Sequence, residues 1–299
     1  PFAVTEKAGS LYGRGTSDLK SFIAVALSLA PEFQIRDLKT PVHFAFSYDE
    51  EVGCIGVRGL IAKLRERPVR PRACIVGEPT MMQPVIAHKG KMSVRCRVRG
   101  RESHSALTHE GVNAVEAAAE IVAYLKGMAR RKRDQGPFDE GFMPPYTTVH
   151  TGVIHGGTAL NIVPRDCSFD FEFRNIPADK QPALLAEVRR YAATALLPEM
   201  HRVSAATGIA FEEMNAVDGL DMPADHELVH LTQALTGANE VGKVSFAAEA
   251  GLFQQADIPT VICGPGSIDV AHKPNEYIAI DQVRQCESFM RRLMDRLAR

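Results

Sequence analysis

The chain has 299 residues, 45% of them hydrophobic and 24% charged, with a formal net charge of −1. That length can bury the core of one large domain or two smaller ones, and a near-neutral balance gives no electrostatic footing for nucleic acid or an anionic membrane. No apolar run approaches the ~20 residues of a membrane span, and the start lacks the basic-then-apolar layout of a signal peptide.

The six cysteines are scattered and form no C-x-x-C pair, which predicts buried thiols in a reduced, cytoplasmic protein. The opening Pro1-Phe2-Ala3-Val4 carries no initiator Met and reads as partway into a strand, so an upstream portion is expected to be missing.

A Gly-rich turn, Gly13 to Asp18, leads into a helix with apolar residues at 19, 22, 23, 26, 27 and 30 and Pro31 just beyond its end. Asp18 falls at its N-terminus, where the ordinary role is an N-cap. Val42-His43-Phe44-Ala45-Phe46 reads as a buried strand, so Glu50 and Glu51 are expected at a strand end. A helix over about 57–64 and a strand over 73–76, followed by Glu78, complete an alternation that predicts a mainly parallel sheet flanked by helices.

Near residue 91 the period changes. Met92, Val94, Cys96 and Val98 alternate with Ser93, Arg95, Arg97 and Arg99, which gives a strand with one buried and one wet face. A helix over about 112–130, strands over 147–154 and 167–174, a helix over 182–197 and a strand over 209–213 follow. The order β-α-β-β-α-β is that of a ferredoxin-like two-layer α+β unit. The predicted organisation is therefore a first catalytic part, residues 1–90, an inserted domain, 91–217, and a second catalytic part, 218–299. In the last part, helices are expected over 225–235 and 282–297, with strands over 244–246 and 258–263.

Asp18, Glu50, Glu51 and Glu78 all fall at helix starts or strand ends. Four carboxylates converging on one edge repel one another unless cations neutralise them. His272 lies in the loop after a buried strand. Carboxylates with imidazole suit zinc or a similar ion, although a single loop histidine is more commonly a surface residue.

In combination these residues resemble the M20 metallopeptidase family, the di-zinc amidohydrolases that include acetylornithine deacetylases, succinyl-diaminopimelate desuccinylases and aminoacylases. The resemblance rests on Tyr12 to Lys20, Asp49-Glu50-Glu51-Val52-Gly53, Gly77-Glu78-Pro79-Thr80, His104-Ser105-Ala106 before Gly111-Val112-Asn113-Ala114, Gly157 to Pro164, and Ala271 to Glu276. It implies two zinc ions per subunit, with cobalt as a possible substitute. Asp18 would bridge them, Glu51 complete one site, and Glu78 and His272 hold the ions from either side, while Glu50 acts as general base. It implies a cis peptide at Asp18-Leu19. It also implies a homodimer through residues 91–217, in which His104 donates to the oxyanion in the partner's site. Asn161 and Arg174 would hold substrate oxygens, with an exposed strand charge as the plainer reading of Arg174. His88, His109 and His155 match no role.

Within the family, Val244 to Phe253 and Gly264 to His272 are most similar to the acetylornithine deacetylases, although Ala247-Ala248 stands where those enzymes commonly have Gly-Thr. The implied reaction is hydrolysis of N2-acetyl-L-ornithine to L-ornithine and acetate, a step of arginine biosynthesis. A desuccinylase, an aminoacylase or a catalytically incompetent fragment is the alternative. The family's His-x-Asp motif upstream of Tyr12 has no counterpart here, so residues 1–299 are expected to hold at most one zinc tightly and to show little or no deacetylase activity.

Overall fold

The computed structural model describes residues 2–298. The chain forms two compact units. One comprises the residues up to His88, Leu220–Val244 and Ala248 onward, and the other comprises Lys89–Gly219 with Ser245–Ala247.

The first unit opens on a hairpin of β1 (Thr5–Lys7) and β2 (Ser10–Tyr12). Ala8 and Gly9 both take positive φ, 49° and 72°, the geometry that lets a two-residue loop follow the strand twist. Helix α1 (Lys20–Ile35) runs through Pro31 rather than ending before it. Pro31 and Leu27 are both exposed, so the hydrogen bond that proline cannot donate is lost on the solvent side. Val25, Ala26, Leu29 and Phe33 form its buried stripe.

The expected strand over 42–46 is not one. The segment is extended and pairs with no strand among the described residues, and Phe44 and Phe46 are 37% and 53% exposed. An apolar run specifies a buried strand only where a neighbour supplies its backbone partners, and none does here. Helix α2 (Gly56–Arg65), β3 (Cys74–Val76) and β4 (Val85–His88) follow.

The second unit contains β5 (Gly90–Arg99), α3 (Ala114–Gln135), β6 (Thr148–Gly156), β7 (Asp166–Asn175), α4 (Gln181–Tyr191), α5 (Leu197–Val203) and β8 (Gly208–Val217). Its strands lie in the order β6-β7-β5-β8, every pair antiparallel, the split-βαβ arrangement. Met92, Val94, Cys96, Val98, Phe169, Phe171 and Phe173 face one core with Ala118, Ile121 and Leu125 of α3 and Leu185 and Val188 of α4. Asn113 caps α3, its Oδ1 accepting from the Val115 and Glu116 amides at 3.0 and 3.2 Å. One π turn, Ala192–Leu196, joins α4 to α5 and carries the helical path to Val203, beyond the expected end at 197. Leu196 and Met200 extend the buried face.

The chain then returns to the first unit through β9 (Leu220–Asp221), α6 (Glu227–Thr236), β10 (Gly242–Val244), α7 (Ala250–Gln254), β11 (Thr260–Ile262), β12 (Tyr277–Ala279) and α8 (Ile280–Leu297). Its larger sheet, β10-β4-β11-β3 with β9 on β4, is mixed rather than mainly parallel. β10/β4 and β11/β3 are parallel, whereas β11/β4 and β4/β9 are antiparallel. The reason is β4, which runs against β11 after the short 77–84 connection. β12 pairs with β2, and α8 packs Cys286, Phe289, Met290 and Met294 against the stripe of α1.

Candidate metal centre

The loop that carries Asp18 is fixed by a residue near the other end of the chain. Glu276 is 3% exposed, and its carboxylate accepts from the amides of Gly15 and Ser17 at 2.9 Å and Asp18 at 3.0 Å, and from Arg14 Nη1 at 3.0 Å. Burial opposes its ionisation, but those amides and Arg14 hold the carboxyl below its ordinary range. Ser17 Oγ donates to the Ser267 carbonyl at 2.9 Å. Gly266, at φ +87°, lies so close that a Cβ there would stand 2.4 Å from that hydroxyl. The Asp18-Leu19 peptide is cis.

Glu50 and Glu51 sit on a tight turn leading into α2, not at a strand end. The Gly53 and Cys54 amides both donate to the Glu50 carbonyl at 2.8 Å, and Ile55 and Gly56 donate back to Asp49 and Tyr48, each at 3.1 Å. Closing the turn places Asp49 and Cys54 in the left-handed region, at φ 54° and 55°, a conformation that costs a non-glycine residue roughly 1 kcal/mol.

These two loops and the one after β11 bring three side chains together. His272 Nε2 lies 2.8 Å from Asp18 Oδ2 and 3.1 Å from Glu51 Oε2, and the three donor atoms fall within 4.8 Å of one another. Two carboxylates and an imidazole at this spacing form a donor set that fits zinc. Burial and the Glu51 charge raise the Asp18 pKa, with His272 opposing. Burial works against the protonated form of His272, but the charges and hydrogen bonds of Glu51 and Asp18 raise its pKa overall.

Glu78 is 6% exposed and stands outside that triad, with its pKa driven well up by burial and then by Asp18, Glu50, Glu249 and Glu51. Glu50 is raised to about 7, chiefly by burial, with Glu51, Glu249 and Asp18 adding to the shift and a hydrogen bond from Cys54 opposing it. A cation would stabilise the ionised form of such a concentration of carboxylates.

In the second unit, His104 and Asn161 share one corner. The Ser105 amide donates to the Asn161 carbonyl at 3.0 Å, and His104 bridges Ile162. His104 Nδ1 accepts from the Ala106 amide at 3.1 Å, which caps the short helical turn behind it and fixes the ring. The structure does not bring Arg174 to that corner. Arg174 pairs in register with Lys91 at the start of β5, whereas His104 and Asn161 follow the ends of β5 and β6, opposite Asp166 and Cys167. Seven strand residues separate the two places, roughly 24 Å. Arg174 is partly buried, and its Nε donates to Glu172 Oε1 at 3.0 Å.

Three residues of the first unit's site were given no role by sequence. Glu276 and Cys54 lie inside or beside matched motifs, but only the fold shows that one holds the Asp18 loop and the other donates Sγ–H to Glu50 Oε1 at 3.4 Å. Glu249, 8% exposed, is the third.

Residues 1–296 match the peptidase family M20/M25/M40. An acetylornithine deacetylase of Myxococcus xanthus is 36% identical over 97% of this chain and 73% of its own length. One from Klebsiella pneumoniae is 34% identical over 93% and 70%. Among solved structures, the aminopeptidase PepT of Bacillus cereus superposes with a TM-score of 0.75 at 20% identity, over 99% of this chain and 76% of that one. Human carnosine dipeptidase 1 gives 0.68 at 16%, over 100% and 76%. The fold, the gathered metal donors and these matches together make the chain a member of peptidase family M20/M25/M40, a family of metal-dependent hydrolases.

Proposed function

We propose that this chain is a zinc-dependent amide hydrolase that removes the acyl group from an N-acyl amino acid, N2-acetyl-L-ornithine foremost, giving L-ornithine and acetate in arginine biosynthesis. The observation that carries the reading is the meeting of Asp18, Glu51 and His272 within 4.8 Å, beside a carboxylate, Glu50, raised to about 7. The deacetylase names of the relatives at 34–36% identity support the substrate.

Asp18, Glu51 and His272 would hold the metal, and Glu78 would add a further carboxylate donor. A zinc ion supplies Lewis acidity for the amide carbonyl and for the attacking water. Glu50 takes the proton from that water and returns it to the leaving amine. Cys54 restrains the Glu50 carboxylate. His104 supplies a donor to the developing oxyanion, from the partner subunit of a homodimer formed through residues 91–217, and Asn161 holds a substrate oxygen. The edge position of β6, with Val153 and Ile154 45% and 48% exposed, favours that pairing. Arg174 grips a substrate carboxylate after exchanging its Glu172 partner.

Hydrolysis of N2-acetyl-L-ornithine, N-succinyl-diaminopimelate and N-acetyl-L-methionine, measured side by side with added zinc, tests the assignment. Acetylornithine is expected to turn over fastest. A faster succinyl substrate selects a desuccinylase, and no hydrolysis of any substrate selects the catalytically incompetent alternative.

A further inference from the structure

Glu249 stands immediately before α7, buried to 8% exposure. Ser47 hydrogen-bonds its carboxylate, but the Oε1 oxygen has no hydrogen-bond partner among the described residues. A buried carboxylate oxygen without a donor is unfavourable, and native structures keep one chiefly where a ligand or ion completes it. The residue belongs to the metal centre electrically, since its charge acts on Glu50, Cys54 and Glu78.

Charge balance indicates what kind of ligand is missing. Asp18, Glu50, Glu51, Glu78 and Glu249 bring five carboxylates to one neighbourhood. Burial raises the Glu249 pKa, with the Ser47 hydrogen bond opposing, so its carboxylate stays ionised only where a positive charge pairs with it. A neutral substrate side chain leaves Glu249 unpaired, whereas a side chain ending in ammonium brings both the positive charge and the N–H donors that Oε1 lacks.

We propose that Glu249 determines substrate specificity, accepting through Oε1 a hydrogen bond from a cationic side-chain nitrogen, such as the δ-ammonium of an ornithine moiety. The assignment rests on the N-acyl amino acid reading of the site. Calorimetric binding of L-ornithine and L-norvaline, which share a carbon skeleton but differ in that ammonium, tests it on the zinc-loaded chain and on Glu249→Gln.

Ornithine is expected to bind at least tenfold more tightly, with the preference lost in Glu249→Gln while zinc content and norvaline affinity stay unchanged. Equal affinities on the unmodified chain overturn the assignment without any variant, as does failure of both ligands to bind. A preference that survives Glu249→Gln, or zinc lost from that variant, also overturns it. Ornithine preference without hydrolysis of acetylornithine sinks the deacetylase reading alone, and hydrolysis indifferent to the side chain sinks the Glu249 assignment alone.

Discussion

The two units solve the problem of holding a side chain in different ways. In the second, a ten-residue strand, β5, lies in the middle of an antiparallel sheet and its alternation alone decides which residues are buried. In the first, several of the strands have only three residues, and the carboxylates sit on loops fixed by side chain to backbone bonds and by residues at positive φ. Regular pairing gives a rigid platform whose residues are interchangeable by pattern. Loop clamps give positions that belong to individual residues, which is what a metal centre requires.

The comparison breaks most sharply at the metal centre. Glu50→Gln should lower turnover by ~10²–10⁴-fold, the usual contribution of a general base, and leave bound zinc nearly unchanged. Glu51→Gln should instead release zinc. Metal analysis beside the same assay decides between them, and equal metal loss in both variants exchanges their roles.

Packing supplies the next largest effect. Phe173 is fully buried in the second unit and Phe46 is 53% exposed in the first. Phe173→Ala should cost about 3–5 kcal/mol, whereas Phe46→Ser should change stability by less than about 0.5 kcal/mol. Urea unfolding measures both, and a large cost at Phe46 would reveal a packing partner for that side chain, as Phe33 is for Phe44.

A smaller effect sharpens the picture of the second unit. Lys89, buried, donates to the Pro144 and Tyr146 carbonyls at 2.6 and 2.7 Å, and burial lowers its pKa to about 8. Between about pH 8 and pH 10 the folded chain has released a proton that the unfolded chain still holds, so stability should rise with pH across that window, by at most about 3 kcal/mol. Lys89→Met should remove this rise. Urea midpoints at two pH values, compared between the two proteins, read it out, and parallel profiles would show that Lys89 keeps an ordinary pKa.

The same contrast explains what the sequence revealed. The alternation from Met92 to Arg99 appears in the structure because side-chain period acts over a few residues. The candidate metal donors were legible as carboxylates at element ends and, in their roles, only through the resemblance of their motifs to the M20 family. The strand over 42–46 misled because hydropathy carries no information about whether a neighbouring strand is present. Pro31 misled because the carbonyl left without a donor, at Leu27, is exposed to water, and the buried stripe continues past the proline to Phe33. Glu276 and Glu249 were silent because their roles arise only when distant segments meet, and no local period encodes that.

The cradle that Glu276 makes for the Asp18 loop joins residues 258 to 261 positions apart. At ~5–20 residues per second, a ribosome needs about 13–50 s to travel that distance. Throughout that interval the Gly15, Ser17 and Asp18 amides lack their acceptor, and His272 is also still to come. The candidate metal donors therefore come together only once the 272–276 segment has been made, and metal loading waits on that segment rather than on early folding of the Asp18 loop. Ribosome-bound chains that expose everything before His272 should retain no zinc on washing, whereas chains that also expose Glu276 should retain it; zinc held by the shorter chains would show that the Asp18 loop is organised without its distant carboxylate.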